Sequence, residues 1–167
     1  MKKLIIMCGC PASGKSTLIL ERYIKSDLTT VVVSRDKIRF SILKDCDDYF
    51  SKEKVVFRKY CAEINKAMAD GADIVVADAT QINAKSRKKL FDNLIIPNDY
   101  FVEAMCLETP LQKCLIRNSK REGREFVPET AIREMYEKYE RPMIAEGFDV
   151  IIIHTDTLKI TQAKGVK

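Results

Sequence analysis

The sequence predicts an α/β fold with three layers, helices on both faces of a mainly parallel sheet of four to five strands. Two observations carry that prediction. Short apolar runs rich in valine and isoleucine alternate with helical patterns along the whole chain. The first of these runs leads straight into a glycine-rich loop and then a helix, the strand–loop–helix order of a P-loop NTPase domain. The 167 residues suffice for one ordinary domain with its own core, so residues 1–167 are read as a single domain.

In chain order, the strand-like runs are Leu4–Cys8, Thr30–Val33, Ile74–Ala77, Phe101–Leu107 and Val150–Ile153. They lack strict alternation, as strands buried on both faces do. Between them, helices are expected at about 15–25, 36–44, 52–69, 84–94, 110–120 and 129–141. Gly71 fits a C-terminal cap before the third strand. Thr109-Pro110 marks a helix start, and Pro128 suits the first position of the last helix.

Bulk properties narrow the classes. No apolar run approaches the roughly 20 residues of a membrane span. The N-terminus runs directly into the first strand, so no signal peptide is expected. The six cysteines include no C-x-x-C pair and several sit in strand- or helix-like runs. They read as reduced thiols serving as small core hydrophobes in a cytoplasmic protein. A zinc site is not expected, because His154 is the single histidine, and it reads as a strand-end residue. The formal net charge of +5 favours phosphate-rich partners without proving nucleic-acid binding.

Gly9-Cys10-Pro11-Ala12-Ser13-Gly14-Lys15-Ser16 is a complete Walker A loop, G-x-x-x-x-G-K-S. Its glycines let the backbone approach phosphates, and its N–H groups and helix N-terminus carry partial positive charge. Lys15 is expected to reach the β- and γ-phosphates of ATP, and the Ser16 hydroxyl to ligate Mg²⁺.

Parallel sheets bind ligands beyond the carboxyl ends of their strands, so the residues just after each strand matter most. Asp36, in Ser34-Arg35-Asp36-Lys37-Ile38-Arg39, suits two roles: a helix N-cap, or a general base for an attacking hydroxyl. Arg39 lies i+3 from Asp36, on the same helix face, and suits an acceptor phosphate. Asp78 ends the third strand in a Walker B-like pattern. It suits Mg²⁺, an arginine, the acceptor, or a cap for the next helix. Lys85, Arg87, Lys88 and Lys89 read as a solvated charged face. Arg117 and Arg121, at i and i+4, are expected on one helix face, and Gly123 loosens the chain after them. They suit either a helix end favoured by the dipole or an arginine-bearing lid over a triphosphate, with the lid region at about 110–141.

Taken together, these segments resemble the kinase domain of bacteriophage T4-type polynucleotide 5′-hydroxyl kinases. The likeness runs through Gly9 to Thr17, Ser34 to Arg39, Asp78, Arg117-Asn118-Ser119-Lys120-Arg121, Val127-Pro128 and Met135-Tyr136. It implies an ATP- and Mg²⁺-dependent kinase acting on 5′-OH ends of DNA or RNA. In it Gly9, Ala12, Ser13, Gly14, Lys15, Ser16 and Thr17 bind the nucleotide with Arg117 and Arg121, and Asp36 is the general base. Lys15, Arg39 and Arg121 complete the catalytic set, and Ser16 and Asp78 serve the metal. The phage-type phosphatase domain is not expected here. Where the resembled pattern reads Asp-Thr-Asn after the third strand, this chain has Ala79-Thr80-Gln81. The alternatives are a small-molecule P-loop kinase for a nucleoside, antibiotic or metabolite, and a nucleotide-binding ATPase switch. Repair of nucleic-acid ends follows by analogy alone.

Overall fold

The computed structural model describes residues 1–24, 28–44 and 46–155, together with the backbone of 159–163. Its elements are β1 (Lys2–Cys8), α1 (Lys15–Ile19), which continues as a π-helical turn (Leu20–Ile24), β2 (Thr30–Ser34), α2 (Arg35–Ile42), α3 (Glu53–Ala69), β3 (Ile74–Asp78) and α4 (Ala84–Phe91). They continue with β4 (Tyr100–Leu107), α5 (Leu111–Asn118), a 3₁₀ turn (Gly123–Glu125), α6 (Glu129–Glu137), a second 3₁₀ turn (Ile144–Glu146), β5 (Val150–His154) and β6 (Lys159–Ala163).

The strands form one sheet in the order β2-β3-β1-β4-β5-β6. All five strands expected from the sequence are present and mutually parallel. β6 pairs antiparallel with β5 at the edge, one strand beyond the expected count. The six expected helices are also present, each with ends within a few residues of the sequence reading; residue 25, the expected end of the first, lies outside the described residues. Pro110 and Pro128 each sit at the cap position just before a helix, one residue earlier than the sequence reading of Pro128. Among the described residues, no helix is long and apolar enough to cross a membrane.

β1 is the centre of the sheet and is buried on both faces, as its unbroken Leu4-Ile5-Ile6-Met7-Cys8 run requires. Leu4, Ile6 and Cys8 pack in the larger core with Val56, Tyr60 and Ile64 of α3 and Leu90 of α4. Ile5 and Met7 face the other way, toward Ile19 and Tyr23. Burying each large apolar side chain contributes about 1.5–3 kcal/mol. α3 then ends in a Schellman motif. Gly71 takes φ +84°, its N–H bonds Met68 O at 3.0 Å, and Ala72 N bonds Ala67 O at 3.2 Å. A third, small core joins the P-loop to the lid helices: Cys10 packs with Cys114 of α5 and Ile132 of α6.

The charged run on α4 is solvated only in part. Lys85, Lys88 and Lys89 are exposed, but Arg87 is fully buried. Its Nε donates to Glu146 Oε2 at 2.7 Å and its Nη2 to Glu146 Oε1 at 3.0 Å. Nη1 donates to the carbonyls of Gln81 (3.1 Å) and Glu140 (2.9 Å). Arg87 thus ties α4 to the loop after β3 and to the chain leaving the lid. Helical spacing cannot reveal this, because the partners lie far along the sequence. Removing one partner of a buried, hydrogen-bonded pair costs about 3–5 kcal/mol. Arg87→Ala should therefore lower the unfolding free energy by about that amount, measured as a fall in the urea midpoint.

Candidate active site

The carboxyl ends of β1, β2, β3, β4 and β5 open onto one cleft of about 1170 Å³. Its floor is the P-loop. Gly9 lies behind the loop rather than in the cleft wall. It takes φ +147°, and a Cβ there would stand 2.8 Å from Leu107 O, so only glycine fits. Its N–H bonds Thr80 O at 2.9 Å, joining the loop to the chain after β3. Ala12 (φ +59°) and Gly14 (φ +103°) turn the loop so that it arcs over the start of α1.

Lys15 folds its ammonium onto the loop, donating to Gly9 O at 2.9 Å and Cys10 O at 2.8 Å. Burial lowers its pKa, against the opposing charge of Asp78. Ser16 and Thr17 follow, exposed toward the cleft at the first turn of α1. Ser13 carries a buried hydroxyl with no hydrogen-bond partner, while its carbonyl accepts from Thr109 Oγ1 (2.8 Å) and Arg117 Nη1 (3.1 Å).

Asp78 and Ser34 are register partners at the ends of β3 and β2, which sets the serine hydroxyl beside the carboxylate. Burial raises the Asp78 pKa, with Lys15 and Ser34 opposing. Asp78 does not cap the next helix. Asn83 does so, with Ser86 completing a capping box. Nor is Asp36 an N-cap. That position belongs to Ser34, and Asp36 sits in the first turn of α2. Its Oδ1 accepts from Arg39 Nη1 and from the Tyr49 hydroxyl, the latter at 2.9 Å. Arg39 is only 4% exposed. Its Nη2 donates to Glu53 Oε2 at 2.7 Å, and Glu53 also pairs with Arg35. Burial raises the Glu53 carboxyl, but the Arg39 hydrogen bond and the Arg35 charge outweigh it, and the net shift is downward.

On the far wall, α5 ends at Asn118, so Arg121 lies beyond the helix and does not share its face with Arg117. At that end the Asn118 side chain clamps Val127 by two bonds, Nδ2 to Val127 O (2.7 Å) and Val127 N to Oδ1 (3.1 Å). Both arginines nevertheless line the cleft. Except for Gly9, every residue expected at the site borders this one cavity.

Sequence reasoning missed Glu53, Tyr49 and Thr109. Thr109 was within reach of the rule that singled out Asp36 and Asp78, since it follows a strand end. Glu53 and Tyr49 carry no such signal. His154 ends β5 as expected and also borders the cleft.

The donor set suits a nucleoside triphosphate and a hard divalent cation. The orphaned Ser13 hydroxyl and the loop amides offer donors to phosphate. Ser16 and the desolvated Asp78 carboxylate offer oxygen ligands.

The model of the AAA domain family matches residues 4–142. An L-seryl-tRNA(Sec) kinase of Methanococcus maripaludis is 28% identical over 159 residues, covering 92% of this chain and 59% of that protein. The chain thus spans about three fifths of the length of this curated relative. Among solved structures, a chain of the Pnkp1/Rnl/Hen1 RNA repair complex superposes with a TM-score of 0.69 at 23% identity, over 82% of this chain and 43% of that one. An unliganded sugar kinase of Janibacter sp. HTCC2649 gives 0.60 at 18%, over 93% and 86%. These two likenesses establish the fold.

The Glu53 pairing makes stability depend on pH. A carboxyl whose folded pKa is depressed adds stability above its ordinary value of 4.5 and loses it as pH falls through the folded value. Glu53→Gln should therefore destabilise the protein at neutral pH and progressively less below pH 4.5, measured by urea unfolding across that range.

Proposed function

The chain belongs to the AAA domain family, as a P-loop kinase-type domain, and on that premise we propose that it transfers the γ-phosphoryl group of ATP to 5′-OH ends of DNA or RNA. The observation that carries the reading is Asp36. It is a carboxylate at the mouth of the cleft, held by Arg39 and Tyr49 through one oxygen, which leaves Oδ2 for an acceptor hydroxyl.

In this reading Asp36 takes the proton as the acceptor oxygen bonds to the γ-phosphorus and the bond to the β–γ bridging oxygen breaks. Lys15, Arg117 and Arg121 balance the charge spreading over the transferred group, with the P-loop amides holding the donor phosphates. Ser16 and Asp78 would hold Mg²⁺, which supplies further charge neutralisation when bound. Arg39 fixes Asp36 and, at the acceptor side of the cleft, receives the phosphate that follows the terminal nucleoside. Contacts of that kind read backbone and not base edges, so little sequence preference is expected.

Two further facts support a nucleic-acid acceptor over a small metabolite. A relative is named for a tRNA-linked substrate, and Lys37, Arg121 and Arg124 line the cleft beside the phosphate-binding residues.

The test is transfer of labelled γ-phosphate to a short 5′-OH oligonucleotide, with a free nucleoside and a sugar alongside. Asp36→Asn should lower turnover on the oligonucleotide by about 10²–10⁴-fold while ATP binding persists. Labelling of the nucleoside or sugar alone would move the reading to a small-molecule kinase. Phosphate release with no labelled acceptor would leave an ATPase.

A further inference from the structure

Beside Asp36 stand aromatic rings whose faces phosphoryl transfer leaves unused. Tyr49 and Phe50 stand in the segment between α2 and α3, and Phe126 follows the 3₁₀ turn of the lid; all three line the cleft. Phe50 is 63% exposed and Phe126 48%. Rings turned to water inside a cavity form an apolar surface suited to a ligand.

Tyr49 and Phe50 are held in place. The Tyr49 hydroxyl donates to Asp36 Oδ1 and accepts from Arg39 Nη1 at 2.9 Å, and the Arg39 guanidinium lies 4.4 Å from the ring centre. Burial, then the Asp36 charge, pushes the Tyr49 phenol up to about 12, so it remains a donor. Phe50 meets Tyr49 edge-on with centroids 4.8 Å apart, and Phe40 props Tyr49 from a centroid distance of 6.3 Å. Arg124 Nη1 reaches Leu43 O, just past α2, at 3.4 Å, which brings the lid turn beside the acceptor side. Cations and flat apolar rings therefore share one opening, the pairing that single-stranded nucleic acid selects.

We propose that Tyr49, Phe50 and Phe126 form a stacking platform for the base of the acceptor's terminal nucleoside, so that the protein takes unpaired 5′ ends. This rests on the nucleic-acid reading above. The phenylalanine rings offer no hydrogen bond to a base edge, so the platform selects a free base of any kind. Because the Tyr49 hydroxyl also holds Asp36, seating the base and setting the carboxylate are mechanically linked.

The experiment compares three acceptors: a single-stranded 5′-OH oligonucleotide, the same strand with an abasic 5′ terminus, and a blunt duplex. The wild-type KM should rise roughly 10-fold on the abasic end, and further on the duplex. Phe50→Ala should bring the KM of the normal strand to the abasic level and leave the abasic KM and the KM for ATP unmoved. Phe50 is mostly exposed, so the variant should fold. A 2-aminopurine at the 5′ terminus gives a direct reading, with quenching on binding that Phe50→Ala or Phe126→Ala removes. Equal KM for normal and abasic ends in the wild type would overturn the platform and leave the kinase reading intact. Quenching without transfer would support the platform and overturn only the acceptor chemistry. Neither quenching nor transfer would overturn both.

Discussion

The backbone at Gly9 is the constraint from which the cleft is built. There is no space for a β-carbon between it and the Leu107 carbonyl, and its amide is committed to Thr80. The loop leaving β1 is thereby pressed against the chain leaving β3 on one side and β4 on the other. Thr109 and Arg117 then draw the Ser13 carbonyl to the same wall. Three strand ends that are far apart in sequence become one rigid floor. The sheet order places β1 between β3 and β4, so this floor forms where successive crossovers diverge, the usual crevice of such sheets.

Charge divides the cleft into two unlike halves. At the acceptor side the guanidinium groups of Arg35 and Arg39 meet the carboxylates of Glu53 and Asp36 in a closed network. Positive charge there is largely neutralised internally. At the P-loop side lie Lys15, Arg117 and Arg121, with the Asp78 charge acting on Lys15. The P-loop half thus suits the phosphates of a nucleotide. Preorganised groups of this sort need little rearrangement when a ligand arrives.

Strand and helix positions were legible because a parallel sheet writes itself as runs of β-branched residues, and Leu4–Cys8 or Ile74–Ala77 admit few other readings. The P-loop was legible because its function demands fixed residues at fixed spacing. Arg87 was not, since a buried guanidinium is distinguished from an exposed one only by partners such as Glu146, 59 positions away. Glu53 was hidden for the same reason. Arg121 was misjudged because helical spacing shows which residues share a face but not where the helix stops, and α5 stops at Asn118. β6 escaped because an edge strand built from Lys159-Ile160-Thr161-Gln162-Ala163 lacks the apolar run that marks the others.

The small core around Cys10 limits which part of the arginine-bearing wall can shift. Cys10 belongs to the phosphate-binding loop, yet it packs with Cys114 and Ile132 of the lid helices, and burial pushes its thiol up to about 11. α5 and α6 are thus riveted to the floor they overhang. Swinging them away as a body would open an apolar seam to water. The stretch from Ser119 to Phe126 has no buried apolar anchor of its own and carries Arg121 and Arg124. This stretch can lift without breaking a core, whereas displacing the helix pair cannot, so a motion here would run on the timescale of a loop rather than that of a domain hinge.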